Sequence, residues 1–395
     1  MKRTIRASLL KVFDYCVRTL VAIESITLFR RHKKSYESIL VIKTMMMGDV
    51  LMVTPALAAL RIAYPNAKIA ILVGNWSSPV LLNNPNVDEI IAFDDNILVT
   101  RHIRRILRLV RSLRRRRFDF TVTFHRSRAM AAFSFLIHSP VRAGLTFQGS
   151  GSFHTISVES NPSVPKYPVD MNLDLIRALR LSTPARKPQI FLTEPEERES
   201  RARLQSLGCD QTTSPILFVP GGASNPSETV PERRWAPERF AEVADDIAKT
   251  LSAPVILLGG PNDEQVANKV CEEAHTPIIN LVGKTTVRQA IAIIAQSRLV
   301  LTNDTSLLHV AVALGRPTIG LFGPTHGALR IPPADTRFAA IQSPAECSPC
   351  YANENAFPGC RLGNAICMGH IRTDFVASTV LSKLKKGQND SPGQA

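Results

Sequence analysis

Residues 299–325 spell out one folding unit almost completely, and that unit confines the chain to a small set of folds. The apolar run from Leu299 to Thr302 predicts a strand, and Asn303-Asp304 predicts a polar turn whose side chains can cap a helix. The following helix stops at Gly315, before Pro317 and a second apolar strand that ends on Gly320-Leu321-Phe322-Gly323-Pro324-Thr325. Strand, helix and strand in this order form a βαβ unit, whose polar turn lies at the carboxyl edge where open parallel sheets bind ligands. Thr305, Ser306 and Leu307 supply the free N–H groups of the first helical turn, and with the helix dipole those donors favour an anion. An ordinary capped helix in an α/β domain would use the same residues.

The alternation recurs along the chain. Apolar strands are predicted at Ile39 to Ile42, Ile69 to Val73, Glu89 to Phe93 and Phe118 to Thr123, then at Ile216 to Val219, Val255 to Leu258, Ile278 to Leu281, Leu299 to Thr302 and Thr318 to Phe322. Two doubly wound parallel sheets follow from that pattern, joined at the proline-bounded stretch Ser182 to Pro188. With 395 residues and 45% apolar content the chain can bury a large core in two or three domains. The pattern weakens after Pro344, leaving a cysteine-containing tail, a last helix near Phe375 to Lys385, and a stretch from Gly387 to Ala395 that reads as disordered.

Five segments carry a family resemblance. Ile39 to Ile42 leads through Lys43-Thr44-Met45-Met46-Met47-Gly48-Asp49 into a helix expected to run to about Tyr64-Pro65. Val219-Pro220-Gly221-Gly222-Ala223 is followed by Arg233-Arg234-Trp235-Ala236-Pro237, then by Leu257-Leu258-Gly259-Gly260-Pro261-Asn262-Asp263-Glu264, then by the 299–325 unit and by Cys347 to Ile371. In these segments, over about residues 39–372, the chain resembles the ADP-heptose:lipopolysaccharide heptosyltransferases, glycosyltransferase family 9. The resemblance implies an α/β chain of the GT-B fold, two Rossmann-like doubly wound domains facing across a cleft. It divides the chain into a basic N-terminal segment (1–38), an acceptor-side domain (39–184), a donor-binding domain (185–345) and the tail (346–395). It also implies inverting, metal-independent transfer of heptose from ADP-heptose to the lipopolysaccharide inner core, with no cofactor and no nucleic-acid partner.

Roles carry over position by position. Moving a sugar from a nucleotide diphosphate to a hydroxyl needs a base, stabilisation of the departing diphosphate and exclusion of water. Asp49 matches the family's catalytic aspartate, although helix capping would also suit it. Arg233 stands where the family has lysine, two places before the tryptophan, and would meet the diphosphate together with the backbone of Thr305, Ser306 and Leu307. Ser306 replaces a usual glycine, which leaves open another nucleotide sugar and another cell-surface glycan. Asp304 would accept hydrogen bonds from sugar hydroxyls, and Asp263 or Glu264 would hold the ribose. His309, one turn beyond Thr305, suits either a ligand contact or a satisfied core position.

The formal charge is +15 and the pI near 9.8, so acidic partners are expected: phosphates, anionic lipid or nucleic acid. Nine arginines fall between Arg101 and Arg117 with no acidic residue among them, and Ile103, Ile106, Leu107, Leu109, Val110 and Leu113 fall between them at helical spacing. A solvated surface helix, an anionic membrane and a phosphorylated acceptor all fit; RNA fits less well, since stacking aromatics are missing there. A basic nucleic-acid-binding protein would explain the charge and leave Gly48-Asp49 and the Asp304 turn without a purpose. A nucleotide-sugar epimerase would need further cleft carboxylates.

Leu9 to Phe29 is interrupted by Lys11, Asp14, Arg18 and Glu24, too much charge for a spanning helix or a secretory signal, and Arg30, Arg31, Lys33 and Lys34 follow. An interfacial helix that holds a cytoplasmic enzyme on the inner face of the inner membrane, where a lipid A/core acceptor lies, is one expectation. A helix packed on the protein's own body is the other. The seven cysteines, an odd number, argue against a disulfide framework and for a reducing compartment. Cys347, Cys350, Cys360 and Cys367 begin like a zinc site, but the last pair is spaced by six residues. The resembled family has cysteines at these places without a metal-dependent reaction, so zinc is one reading of the four and a metal-free cluster the other; Cys16, Cys209 and Cys271 read as small core residues. Gly283-Lys284-Thr285 lacks the first glycine of a phosphate-binding loop, so no ATPase follows.

Overall fold

In the first half of the chain, strands β1 (Ser38–Ile42), β2 (Lys68–Gly74), β3 (Glu89–Phe93), β4 (Phe120–Thr123), β5 (Val141–Thr146) and β6 (Ile156–Glu159) form one wholly parallel sheet in the order β3-β2-β1-β4-β5-β6. The second half repeats the plan with β7 (Ile216–Val219), β10 (Val255–Leu257), β11 (Ile278–Asn280), β12 (Leu299–Asn303), β13 (Thr318–Phe322) and β14 (Phe338–Gln342), ordered β11-β10-β7-β12-β13-β14. A two-stranded hairpin, β8 (Ser224–Asn225) and β9 (Glu228–Thr229), stands apart. The structure is a computed structural model that describes residues 35–389, apart from 148–149, 162–163, 184–185, 210–212, 223, 226–227, 252, 333, 352–358 and 364–365. The predicted interfacial segment from Leu9 to Lys34 and Cys16 lie outside these residues.

In each sheet the winding reverses beside its first strand, between β1 and β4 and between β7 and β12. The central strands are buried on both faces, as all-parallel sheets require, and so read as continuous apolar runs. Strand β5 and the edge strands escape that pattern. In β5, Arg142 interrupts the run, yet it is buried, and its guanidinium donates to the carbonyls of Ser139 and Phe153 at 2.6 and 3.1 Å. The strands β6 and β14 lie at sheet edges and are only partly buried.

The helix expected to follow the Gly48-Asp49 turn and run to about Tyr64-Pro65 is two helices, Met47–Leu51 and Thr54–Ala63, the first of which takes in Gly48 and Asp49. Pro55 has no N–H for the Leu51 carbonyl and its ring would crowd that oxygen, so the helix breaks. The Thr54 hydroxyl donates to the same carbonyl at 2.7 Å and takes the place of the lost bond. At the other end the chain stays helical longer than expected: the last helix spans Thr373–Asn389, so residues 387–389 belong to it. It packs on helix Pro237–Thr250, and Val376, Val380 and Leu384 join the core of the second sheet. No described helix is long and apolar enough to cross a membrane.

Asn303 ties the second sheet's switch point together. Fully buried, it donates to the carbonyls of Pro220 and Gly221 at 2.8 and 3.2 Å and accepts from the Trp235 N–H at 3.2 Å. The role expected of it, capping the next helix, falls instead to Thr305, whose hydroxyl accepts from the Leu308 N–H. Asn303→Ala would leave three buried backbone groups unpaired, each costing about 1 kcal/mol or more. A loss of about 3 kcal/mol in urea unfolding is expected, and a wild-type midpoint would contradict this accounting.

Candidate active site

The carboxyl ends of the two sheets face each other across a cleft of about 1050 Å3. The loops at both points of reversed winding open into it. From the end of β1 come Lys43, Gly48 and Asp49; from the end of β4, His125 and Arg126. The second domain contributes Gly222 beyond β7, then Arg233, and Asp304, Thr305, Ser306, Leu307 and His309 beyond β12. The turn before Gly48 is strained: Met46 adopts φ 66° and ψ 103°, rare for a residue with a side chain.

One contact between the two domains is especially crowded. A Cβ on Gly48 would lie 2.2 Å from His309 Cδ2, so only glycine lets helix Met47–Leu51 approach helix Ser306–Leu314 this closely. A second glycine sits under the same helix. Gly222 has φ 97°, and a Cβ there would meet the Thr305 methyl at 2.1 Å.

Charge is arranged around two carboxylates. Asp49 pairs with Lys43 at 3.2 Å and keeps a side chain 41% exposed to the cleft. Burial pushes its pKa up, but the charges of Lys43 and Arg330 outweigh burial and hold it below the usual carboxylate range. Asp304 is nearly enclosed, with Arg330 Nε 3.8 Å from its Oδ2. Burial again pushes up, while the charges of Arg330 and Arg233 bring the carboxyl down. Both stay ionised at neutral pH.

Two histidines beside them are neutral. Burial, reinforced by Arg330, lowers His309 to about 4, and burial with Lys43 lowers His125 to about 3. His125 Nε2 accepts the Thr44 N–H at 2.9 Å, which places its proton on Nδ1. His309 is buried, and its Nδ1 has no hydrogen-bond partner among the described residues.

Of the site residues expected from sequence, Asp49, Arg233, Asp304, Thr305, Ser306, Leu307, His309 and Asp263 line this cleft. Arg233 stacks its guanidinium 5.0 Å from the centre of the Tyr351 ring. Asp263 is occupied by its own protein: Oδ1 accepts from the Gly222 N–H at 3.2 Å and from Arg234 at 3.0 Å, and Oδ2 from the Gly260 N–H at 3.1 Å. That makes it a brace for the glycine loop. Glu264 is not a lining residue; it lies against Gly283, where a Cβ would meet its Oε1 at 2.4 Å. Sequence reasoning missed Lys43, His125, Arg126, Arg330 and Tyr351. Lys43 left a trace, a lysine closing an apolar strand. The others come from loops without a periodic pattern.

Cys347, Cys350, Cys360 and Cys367 surround a smaller cavity of about 260 Å3 beside the cleft. Among the described residues, no three histidine, cysteine, aspartate or glutamate side chains are arranged to hold a metal ion.

Comparison with known proteins agrees with this geometry. A family model described as glycosyltransferase family 9 (heptosyltransferase) matches residues 106–360. The lipooligosaccharide heptosyltransferase 2 of Haemophilus influenzae is 28% identical over 307 residues, 73% of this chain and 84% of that one. The lipopolysaccharide heptosyltransferase 2 of Escherichia coli is 28% identical over 303 residues, with 73% and 83% covered. Among solved structures, a family 9 glycosyl transferase of Veillonella parvula superposes with TM-score 0.74 at 24% identity, covering 89% of this chain and 98% of that one. The ADP-heptose lps heptosyltransferase II of E. coli gives 0.69 at 24%, covering 89% and 99%.

Gly48→Ala should lower the melting temperature, because its methyl occupies the space of the His309 ring. The double variant Gly48→Ala/His309→Ala should recover most of that loss. Simple addition of the two single effects would show that the crowding is not borne by this pair.

Proposed function

The chain belongs to glycosyltransferase family 9, the heptosyltransferases, and from that premise we propose that its cleft moves heptose from ADP-heptose to the lipopolysaccharide inner core by direct displacement with inversion. The observation that carries this reading is the meeting of Asp49, from the acceptor-side domain, with Asp304 and Arg233, from the donor-side domain, in one cleft. A donor held by one sheet and an acceptor held by the other would react between them.

Asp49 is the base for the acceptor hydroxyl. Its pairing with Lys43 lowers basicity but keeps the carboxylate ready over the whole neutral range. Arg233 and the first turn of helix Ser306–Leu314 meet the departing diphosphate, charge placed before the reaction begins. Fixed guanidinium charge of this kind can take the part of a divalent ion at the diphosphate. Asp304 receives hydroxyls of the donor sugar, and neutral His309 beside it can hydrogen-bond without adding charge. Asp263 supports the glycine loop, so its part in ribose binding is indirect. Ser306 lines the cleft at the first helical turn, which favours, as a second reading, another nucleotide sugar with different bulk at that point.

The acceptor is lipid-linked, so the reaction takes place at a bilayer surface. We place the enzyme in the cytoplasm, resting on the inner face of the inner membrane.

A panel of nucleotide sugars tests the donor: ADP-heptose should raise the melting temperature and be consumed with a core acceptor. Preference for another nucleotide sugar would favour the Ser306 reading. Asp49→Asn should bind donor normally and turn over roughly two to four orders of magnitude more slowly; wild-type turnover would remove Asp49 from the mechanism. Lys43→Met removes a charge that lowers the Asp49 pKa, so the acid limb of kcat/KM should move to higher pH. An unmoved limb would assign it to another group.

A further inference from the structure

We propose that the outward face of helix Ile103–Arg115 is the surface by which this protein lies on an anionic lipid bilayer. The inference rests on the reading of a lipid-linked acceptor and adds which face meets the lipid. Val110 and Leu113 are buried against the first sheet, and Ile106 and Leu109 pack beside them. On the opposite side Arg104, Arg108, Arg111 and Arg115 follow one another at helical spacing, and all four are exposed.

Within the protein this ridge is costly. Arg104 and Arg108, and Arg111 and Arg115, are like charges one turn apart, and such pairs destabilise a helix. No carboxylate answers them among the described residues. The ion pairs nearby, Arg105 with Asp94 at 3.5 Å and Arg116 with Glu89 at 2.7 Å, lie at the flanks. Helix Ile103–Arg115 itself contains no acidic residue. An extended anionic surface is the complement this ridge lacks.

Apolar groups identify that surface as lipid. Ile103 is 63% exposed and Leu107 41%, both alongside the arginines. Val99 precedes the helix and is also exposed, and so is Leu136 on the neighbouring helix Arg128–Ile137. Arginines with aliphatic neighbours and no stacking aromatics suit a headgroup layer with acyl chains beneath it better than a nucleic acid. The neighbouring helix is capped by Ser127, which lines the cleft with Arg126, so this face sets the acceptor side of the cleft near the bilayer.

The test compares the full chain with the variant Arg104→Gln/Arg108→Gln/Arg111→Gln, which keeps good helix formers and the N-terminal segment. Each engaged basic side chain strengthens binding to an anionic leaflet about fivefold, so the variant should bind phosphatidylglycerol-containing vesicles roughly 100-fold more weakly at low salt. The wild-type interaction should fade as salt rises and the screening length shrinks. Transfer of heptose to a soluble, delipidated core oligosaccharide should be the same in both proteins. Equal vesicle binding by the variant would overturn the proposal, as would equal wild-type binding to neutral phosphatidylcholine vesicles, or tight binding to RNA with none to vesicles. Failure of both proteins to transfer heptose to the soluble acceptor would instead overturn the glycosyl-transfer reading and leave the vesicle comparison intact.

Discussion

The contact between Gly48 and the His309 ring sets the distance on which the rest of this molecule depends. Each Rossmann-like sheet, by its own winding, opens a crevice beside its first strand. Alone, either crevice is half a site. Because residue 48 has no Cβ, the helix that follows β1 can lie against the helix that follows β12, and the two crevices become one cleft. The strained turn at Met46 belongs to the same arrangement, since it turns the chain out of β1 and into that contact. Core packing continues across the boundary: Met47, Val50 and Leu51 share one apolar cluster with Val310 and Ala311.

The electrostatics of the cleft follow from that spacing. Two carboxylates and the cations Lys43, Arg233 and Arg330 lie within reach of one another in a partly desolvated space. Both histidines are held neutral by burial and by neighbouring positive charge, and both carboxylates are held ionised, so none of these four groups changes charge through the physiological range. A site meant to receive a diphosphate and release it gains from such fixed charge, because little reorganisation is needed when negative charge builds up on the leaving group. The basic surface outside the cleft has a separate origin in helix Ile103–Arg115, none of whose arginines lines the cleft.

Much of this was legible in the sequence, for reasons that can be traced to particular residues. The strands β1, β2, β7, β12 and β13 are buried on both faces and therefore appear as unbroken apolar runs. The glycine-containing turns after β1 and β7 mark close approach of backbone. Less legible were β5, hidden by the buried Arg142, and the edge strands β6 and β14, whose half-exposed residues carry no strong pattern. Pro55 was visible as a helix breaker, but it took the Thr54 hydroxyl bond to show where the break falls.

By itself the sequence determined the class of fold and the edge of each sheet where ligands would bind, because these depend on local periodicity and on turn chemistry within a few residues; the candidate pair Asp49 and Asp304 came from the family resemblance. Tertiary structure alone decided which groups those residues face. Asp263 and Glu264 are adjacent in sequence, yet one braces Gly222 in the cleft and the other lies against Gly283. Arg330 reaches Asp304 from a loop beyond β13, and Arg233 finds Tyr351 more than a hundred residues away. Such pairings arise from how two independently wound sheets come to rest on one another, and the hydrophobic pattern of either sheet is indifferent to that choice.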